Sequence, residues 1–294
     1  MNEYTLSVAT LIVIQAIAAS GLNVIVGYAG QISLGHAAFF GIGAYTCALL
    51  TTSGNLSFWG ALPMVLLVAA GVGVLLGLPS LRLKEDFLAI TTIGINFIVE
   101  ALFLYTPFFG GALGIGGIPR VVLFGIKLKG LGFLLLCLAF LALALLLCWA
   151  FTRCWSGLAC FAIREDETTA ASMGISPVRF KLLAFVLGTV LAALGGALYA
   201  HFMRFISAGD FSFPVSVMLL SMVVLGGMGT LWGPLVGAVV LGVLPEVFRP
   251  LTDYRMFLYA ALRLLMIRFQ PGGLLGEHSF ARRCLIGSRG GKAR

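Results

Sequence analysis

"GFLLLCLAFLALALLLCWAF", residues 132–151, runs for 20 residues without one charged side chain. Wound as a helix rising 1.5 Å per residue, that length covers about 30 Å, the thickness of a bilayer's hydrocarbon core. Comparable windows lie at 5–26, 31–52, 59–79, 87–106 and 180–204, in a long apolar region at 213–248, and at 254–269. The whole chain is 60% hydrophobic and only 10% charged, and its mean hydropathy is +1.07. Soluble domains carry about 25% charged residues, so a chain of 294 residues with this composition could not cover its own surface in water. The expectation is an all-α, polytopic membrane helical bundle of about 8–10 membrane segments, some of them broken or re-entrant.

The first window is read as a retained helix. "MNEYTLSVATLIVIQAIAAS" places Asn2 and Glu3, not basic residues, before an apolar run too long for a signal peptide. The six cysteines, Cys47, Cys137, Cys148, Cys154, Cys160 and Cys284, form no CxxC pair and have no histidine cluster beside them. They read as small apolar filler, with no metal site, no cofactor and no redox motif. The formal charge of +8 does not point to nucleic acid, because it is gathered at two places. Arg282, Arg283, Arg289, Lys292 and Arg294 crowd the C-terminal tail, and Arg153, Arg164, Arg179 and Lys181 flank a central loop. Under the positive-inside rule both are cytoplasmic. The chain is therefore divided into a membrane domain, 1–275, with a cytoplasmic loop at 153–181, and a basic cytoplasmic tail at 276–294.

Parity then constrains the path. If the central loop and the tail share one side, an even number of crossings separates them. Spans 180–204 and 254–269 supply two, so 213–248 crosses twice or not at all. Its "LGGMGTLWGP" supplies a break, and the region reads as two short segments turning at Gly226–Pro234. Counting backwards places "RLKED" (82–86) inside and 107–131 outside, although that outer loop carries Arg120, Lys127 and Lys129. The N-terminus is outside if 5–26 and 31–52 both cross, and inside if 31–52 is re-entrant.

Two stretches concentrate glycine. "GYAGQISLGHAAFFGIG" (27–43) holds Gly27, Gly30, Gly35 and Gly41, and "GGMGTLWGPLVGAVVLG" holds Gly226, Gly227, Gly229 and Gly233. Small residues let helices approach closely in lipid and also permit the broken helices found inside transporters. Both readings stand. "GQISLGHA" opens like a P-loop but has His36-Ala37 where Lys-Ser/Thr is required, so no ATP site is expected there. No catalytic triad, carboxylate pair or HExxH spacing is present among His36, His201 and His278, and no catalytic residue is assigned.

Within "FLAITTIGINFIVEALFLYT" (87–106), Thr92, Asn96 and Glu100 recur every four residues on one helical face. Such a stripe inside a span either lines a translocation path or hydrogen-bonds to a neighbouring helix. The charged interruption "FAIREDETTAASMGISPVRFK" (161–181) has its own organisation. Glu165, Asp166 and Glu167 suit the start of a short helix. Gly174 is placed to close it, Ser176 to cap the next helix and Pro177 to begin it. The expected product is a helix of about two turns over 164–174, with Arg164 and the acidic residues beside an apolar face of Ala170, Ala171 and Met173. That shape fits a groove on another protein; the alternative is a merely solvated loop.

These residues carry a resemblance. The chain is similar to the permease subunit, M-type, of high-affinity branched-chain amino-acid ABC importers. The matching segments are "GLNVIVGYAGQISLGHAAFFGIGAY" (21–45), "LRLKEDFLAITTIG" (81–94), "GGALGIGGIP" (110–119), "AIREDETTAASMGISPVRFKLLAFVLG" (162–188), "GGMGTLWGPLVGA" (226–238) and "RFQPGGLLG" (268–276). The resemblance implies a permease in the bacterial inner membrane that pairs with a homologous second permease. It also implies two cytosolic P-loop ATPases and a periplasmic amino-acid-binding protein as partners, with 164–174 as the helix that docks on an ATPase. Glu85, the Phe97–Glu100 region and Arg263 depart from the family's usual pattern. Leucine-type, broader amino-acid, and urea or short-chain amide substrates stay open. A secondary transporter or a membrane enzyme are the competing classes.

Overall fold

The computed structural model describes residues 3–80, 85–123, 125–247 and 274. The candidate span at 254–269, Arg263, the tail at 276–294, Cys284 and Arg82 to Lys84 of the "RLKED" break lie outside the described residues. The chain is helical almost throughout: α1 (Glu3–Asn23), a π-helical turn (Val24–Tyr28), α2 (His36–Thr52), α3 (Phe58–Ser80), α4 (Glu85–Tyr105), α5 (Leu131–Arg153), α6 (Trp155–Glu165), α7 (Glu167–Ser172), α8 (Pro177–Met203), α9 (Phe213–Gly226) and α10 (Gly233–Val247). Among the described residues, six helical stretches are long and apolar enough to cross a membrane. This is an all-α polytopic bundle, as its composition requires.

One deviation matters. The 31–52 window is not helical from its start: α2 begins at His36, and 29–35 is an irregular passage leading from the π-helical turn. The 213–248 region does divide as its glycines indicate. α9 ends at Gly226 and α10 starts at Gly233. At 14 and 15 residues the two helices are each about 21–23 Å long, short of a full hydrocarbon core.

The bundle has two ends, and side chains fix which segments meet at each. At the first end the Tyr4 hydroxyl donates to Glu246, the Trp59 indole N–H donates to the Val122 carbonyl, and His201 pairs with the Pro119 carbonyl. Four strands of two residues close this end, β1 (Ile115–Gly116), β2 (Val122–Leu123), β3 (Ile126–Lys127) and β4 (Phe205–Ile206), with β1 antiparallel to β4 and β2 to β3. At the second end lie the π-helical turn, the 227–232 connection and the charged segment 153–176. The start of α1 thus shares an end with the 106–130 loop, opposite the charged segment. Of the two orientations open from sequence, this is the one in which 5–26 and 31–52 both traverse.

α8 is the spine. It packs against α1, α2 and α3, and its small residues Gly188, Ala192, Ala193, Gly195, Gly196 and Ala197 are all buried. A Cβ built on Gly21 would stand 2.6 Å from the Gly188 carbonyl oxygen, and one on Gly188 would stand 2.6 Å from that of Gly21. Gly43 meets the backbone of Ala193 and Gly196 meets the carbonyl of Phe40 in the same way. Lipid offers no hydrophobic drive between helices, so this backbone proximity and its dispersion energy hold the layers together. The same logic joins α9 to α10, where Gly226 faces the Gly233 carbonyl and Gly237 that of Met222. Leu67, Leu75, Leu135 and Leu146 are exposed on the outer helices, as lipid-facing side chains are. Cys47, Cys137, Cys148 and Cys160 are buried free thiols, whereas Cys154 is exposed between α5 and α6 and is not filler.

Two glycine substitutions separate packing from propensity. Gly196→Ala forces a methyl group into the Phe40 backbone and is expected to destabilise by about 1–3 kcal/mol or more. Gly71→Ala, where a Cβ would meet nothing, should be neutral or stabilising by up to about 1 kcal/mol. Thermal unfolding of the two variants in detergent checks both, and equal melting temperatures would contradict this account of the spine.

Candidate functional site

The charged segment is two helices, not one. α6 ends at Glu165 and α7 begins at Glu167, with Asp166 extended between them (φ −156°, ψ 110°). The cause is the Asp166 carboxylate. It accepts the backbone N–H groups of Thr168 (2.8 Å) and Thr169 (3.0 Å) and both of their hydroxyls. An N-cap must leave helical geometry to do this, so Asp166 ends α6 while starting α7. Glu165 therefore closes a helix instead of opening one, and Arg164 belongs to the preceding helix. Gly174 closes α7 as expected: it has φ +85°, its N–H reaches the Ala171 carbonyl, and the Ile175 N–H reaches that of Ala170. That is a Schellman ending, which favours glycine at this position. Ser176 holds the cap position of α8 but its hydroxyl makes no capping bond, and Pro177 stands in the first turn. The expected apolar face is also revised. Ala170 is buried, while Ala171 is exposed and Met173 is 77% exposed. Lys181 ties α7 to α8 through Glu167 at 2.6 Å.

Arg164 points the other way, into the bundle end. Its guanidinium donates to the Gly27 carbonyl in the π-helical turn. Its stem lies against Gly30, where a Cβ would stand 2.9 Å from Cγ, and its Nη1 would stand 2.8 Å from a Cβ on Gly229. Gly30 and Gly229 both have positive φ, so glycine is required there by backbone shape as well as by space. Asn23 completes the junction. Its side-chain oxygen accepts the Gly229 N–H at 2.9 Å and its amide donates to the Thr230 carbonyl at 2.9 Å. Phe161 of α6 stacks edge-on against Tyr28, with centroids 5.4 Å apart. Three elements, the end of α1, the α9–α10 turn and α6, are therefore pinned at one point. Gly30 and Gly229 stand at breaks with positive φ, and Gly27, Gly41, Gly226 and Gly233 leave no room for a Cβ against their neighbours. Gly227, at φ +120°, ends α9.

Further in, the polar stripe of α4 is partly engaged. The Thr92 hydroxyl accepts the Leu34 N–H at 3.0 Å, and Gly35 packs on the Thr92 carbonyl. Asn96 accepts from the Ser216 hydroxyl at 3.2 Å and reaches the Phe211 carbonyl at 3.5 Å, while Ser216 accepts the Ala37 N–H at 2.9 Å. Thr92 and Asn96 thus hold the start of α2 in place. Glu100 is half-buried one turn further along, with no hydrogen bond or ion pair among the described residues. Sequence reasoning passed over Asn23 and Ser216, whose signal was a lone polar side chain inside an apolar run. No cluster of three or more metal-ligating side chains exists among the described residues.

Apolar helices packed on a glycine spine, one of them interrupted inside the bundle, and a charged helix pair hung from one end are the build of a multi-pass membrane permease. Comparison with known proteins places it further. The family described as the permease component of branched-chain amino acid transport systems matches residues 4–267. The chain is 38% identical to the high-affinity branched-chain amino acid transport system permease protein LivM of Escherichia coli, over 94% of this chain and 71% of that protein. It is 26% identical to the corresponding protein LivH of Salmonella typhimurium, over 89% and 91% of the two chains. It is also 26% identical to a probable LivM of Methanocaldococcus jannaschii, over 74% and 69%. The chain belongs to this permease family, and so is a transport-system component and not an enzyme.

The Asp166 cap predicts a pH response. Hydrogen bonds from the Thr168 hydroxyl first, then from the Thr169 N–H and hydroxyl, hold its carboxyl down at about 2, below the ordinary 3.8. A folded pKa below the unfolded one stabilises above the unfolded value and loses that contribution as pH falls through the folded one. Amide protection at Thr168 and Thr169 should therefore be full at pH 5 and decline between about pH 4 and pH 2. Asp166→Ala should lose it at every pH, and Asp166→Asn, also a good cap, should keep it without the acid transition.

Proposed function

We propose that this chain is the M-type membrane subunit of an ATP-driven importer of branched-chain amino acids. It forms the translocation path with a homologous second permease in the bacterial inner membrane. Two cytosolic P-loop ATPases engage its charged end, and a binding protein delivers the amino acid at the opposite end. Family membership and the greater similarity to LivM than to LivH support this reading. On it, the charged end and the C-terminus face the cytoplasm.

The observation that carries the coupling is the division of labour around Asp166. α7 presents Glu167, Ala171 and Met173 outward, as a protruding element that a groove can grip. Arg164, three residues before the start of α7, holds the π-helical turn and the α9–α10 connection. A displacement of α7 by an ATPase has a short, stiff route through α6 into the two places where the membrane helices are interrupted. In this scheme Glu165, Asp166, Glu167, Ala171, Met173 and Gly174 form the docking element, Arg164 transmits, and Ala170 packs beneath. Thr92, Asn96 and Glu100 stand beside the path. The opposite end carries Arg120, Lys127, Lys129 and Arg204, with Lys127, Lys129 and Arg204 exposed. The same end also carries Glu3, Asp210 and Glu246, so charges of both signs are available there to a binding protein.

Ala171→Trp tests the docking element, because its side chain is exposed and a fold defect is not expected. Leucine uptake by the complete transporter in proteoliposomes should fall at least tenfold with the membrane subunit's folded yield unchanged. Unimpaired uptake would refute the docking assignment. Ala170→Trp, by contrast, should lower folded yield, since Ala170 is buried.

A further inference from the structure

Residues 29–35 cross the interior as irregular chain, and burial alternates along them. Ala29, Gln31, Ser33 and Gly35 are buried, whereas Ile32 is 42% exposed and Gly30 and Leu34 are half-exposed. Their burial places the Gln31 and Ser33 side chains inside the protein. Each is only 1% exposed, yet both polar atoms of the Gln31 amide and the Ser33 hydroxyl have no hydrogen-bond partner among the described residues. His36, the first residue of α2 and 0% exposed, adds an unpartnered Nδ1. Buried polar groups are almost always satisfied, so four orphaned atoms within six residues call for a cause.

Their position supplies one. The His36 Nε2 lies 3.1 Å from the Ala18 carbonyl, which belongs to the interior of α1, and the start of α2 is held by Thr92 and Ser216. α2 therefore begins deep in the bundle, level with the middles of α1 and α4. A helix N-terminus carries about half a positive charge and draws carboxylates; the Ala37 and Ala38 N–H groups are already bonded to Ser216 and Gly35, so the dipole and the orphaned side chains, not free N–H groups, supply the attraction. The side chains match the rest of a zwitterion. A carbonyl can only accept, so Nε2 of His36 bears a hydrogen, and in the neutral form of the ring Nδ1 is an acceptor. The Gln31 amide N–H and the Ser33 O–H are donors for a carboxylate; Gln31 Oε1 and His36 Nδ1 are acceptors for an ammonium group. Gln31, Ser33 and a neutral His36 contribute no net charge, which suits a ligand whose own charges cancel.

We propose that the buried N-terminus of α2, with Gln31, Ser33 and His36, is the intramembrane subsite for the charged head of an α-amino acid in transit. This rests on the importer reading above and adds to it where the substrate's carboxylate and ammonium are received. Broken helices that receive a substrate carboxylate at a buried N-terminus are a recurring solution in membrane transport. The branched side chain would be selected elsewhere.

The experiment measures uptake of radiolabelled leucine, alanine and glutamine by the complete transporter in proteoliposomes, with its binding protein saturating. The variants are Gln31→Leu and Ser33→Ala. Each removes an orphaned polar group in favour of an apolar one, so a group without a ligand would be replaced at no loss of folded yield. The expected result is unchanged folded yield and a maximal uptake rate lowered at least tenfold for every amino acid the wild type carries. Wild-type maximal rates in both variants would overturn the subsite. So would loss of folded complex, since that would make the groups structural. If the wild type carries alanine or glutamine but not leucine, the branched-chain reading fails and the two variants still decide the subsite. If it carries no α-amino acid, both fail.

Discussion

Hydrocarbon tolerates no unsatisfied backbone, and the rest of this structure answers to that rule. Between the π-helical turn and α2 the chain leaves helical geometry inside the bundle, so its N–H groups must be met by protein. Gln31 N–H returns to the Ile25 carbonyl, Leu34 N–H reaches Thr92, and Ala37 N–H reaches Ser216. Asn23 performs the same service for Gly229 and Thr230 in the second interruption. The polar side chains buried in this apolar protein are placed largely by that need. Among the described residues the exceptions are the Tyr45 hydroxyl and the cluster of Gln31, Ser33 and His36, and the cluster is informative because its orphaned atoms lie within six residues.

The spine on α8 makes these interruptions affordable in structural terms. Where Gly188 and Gly196 let α1 and α2 approach to backbone contact, the broken segment is clamped between continuous helices. The two interruptions meet at Gly27, Gly229 and Arg164. A guanidinium suits that junction. It is planar, always charged and can satisfy a buried carbonyl while its stem packs against glycine.

Much of this was legible in advance. Uncharged windows such as 132–151 set helix number and length, because the bilayer fixes both. The break at Gly226–Pro234 and the ending at Gly174 were readable because each rests on local turn chemistry. Glu165 was misread for a related reason. Three consecutive acidic residues all suit a helix start, and only the Asp166 carboxylate's bonds to Thr168 and Thr169 show which one is the cap. The inward turn of Arg164 and the burial of Ala170 carried no local signal, since a six-residue helix has no period long enough to reveal its face.

By itself, then, the sequence determined that this is a membrane bundle, roughly where its helices run, and where a charged element interrupts them. Those properties follow from composition and from the chemistry of neighbouring residues. Tertiary structure decided that the 31–52 window starts as irregular chain and that Asn23, Arg164 and Gly229 converge. It also decided that Thr92 and Asn96 brace α2 while Gln31 and Ser33 stay unpaired. The physical reason is distance along the chain: Arg164 and Gly27, or Ser216 and Ala37, are joined across well over a hundred residues. No local pattern encodes which polar group will face which orphaned carbonyl or amide once the helices have packed.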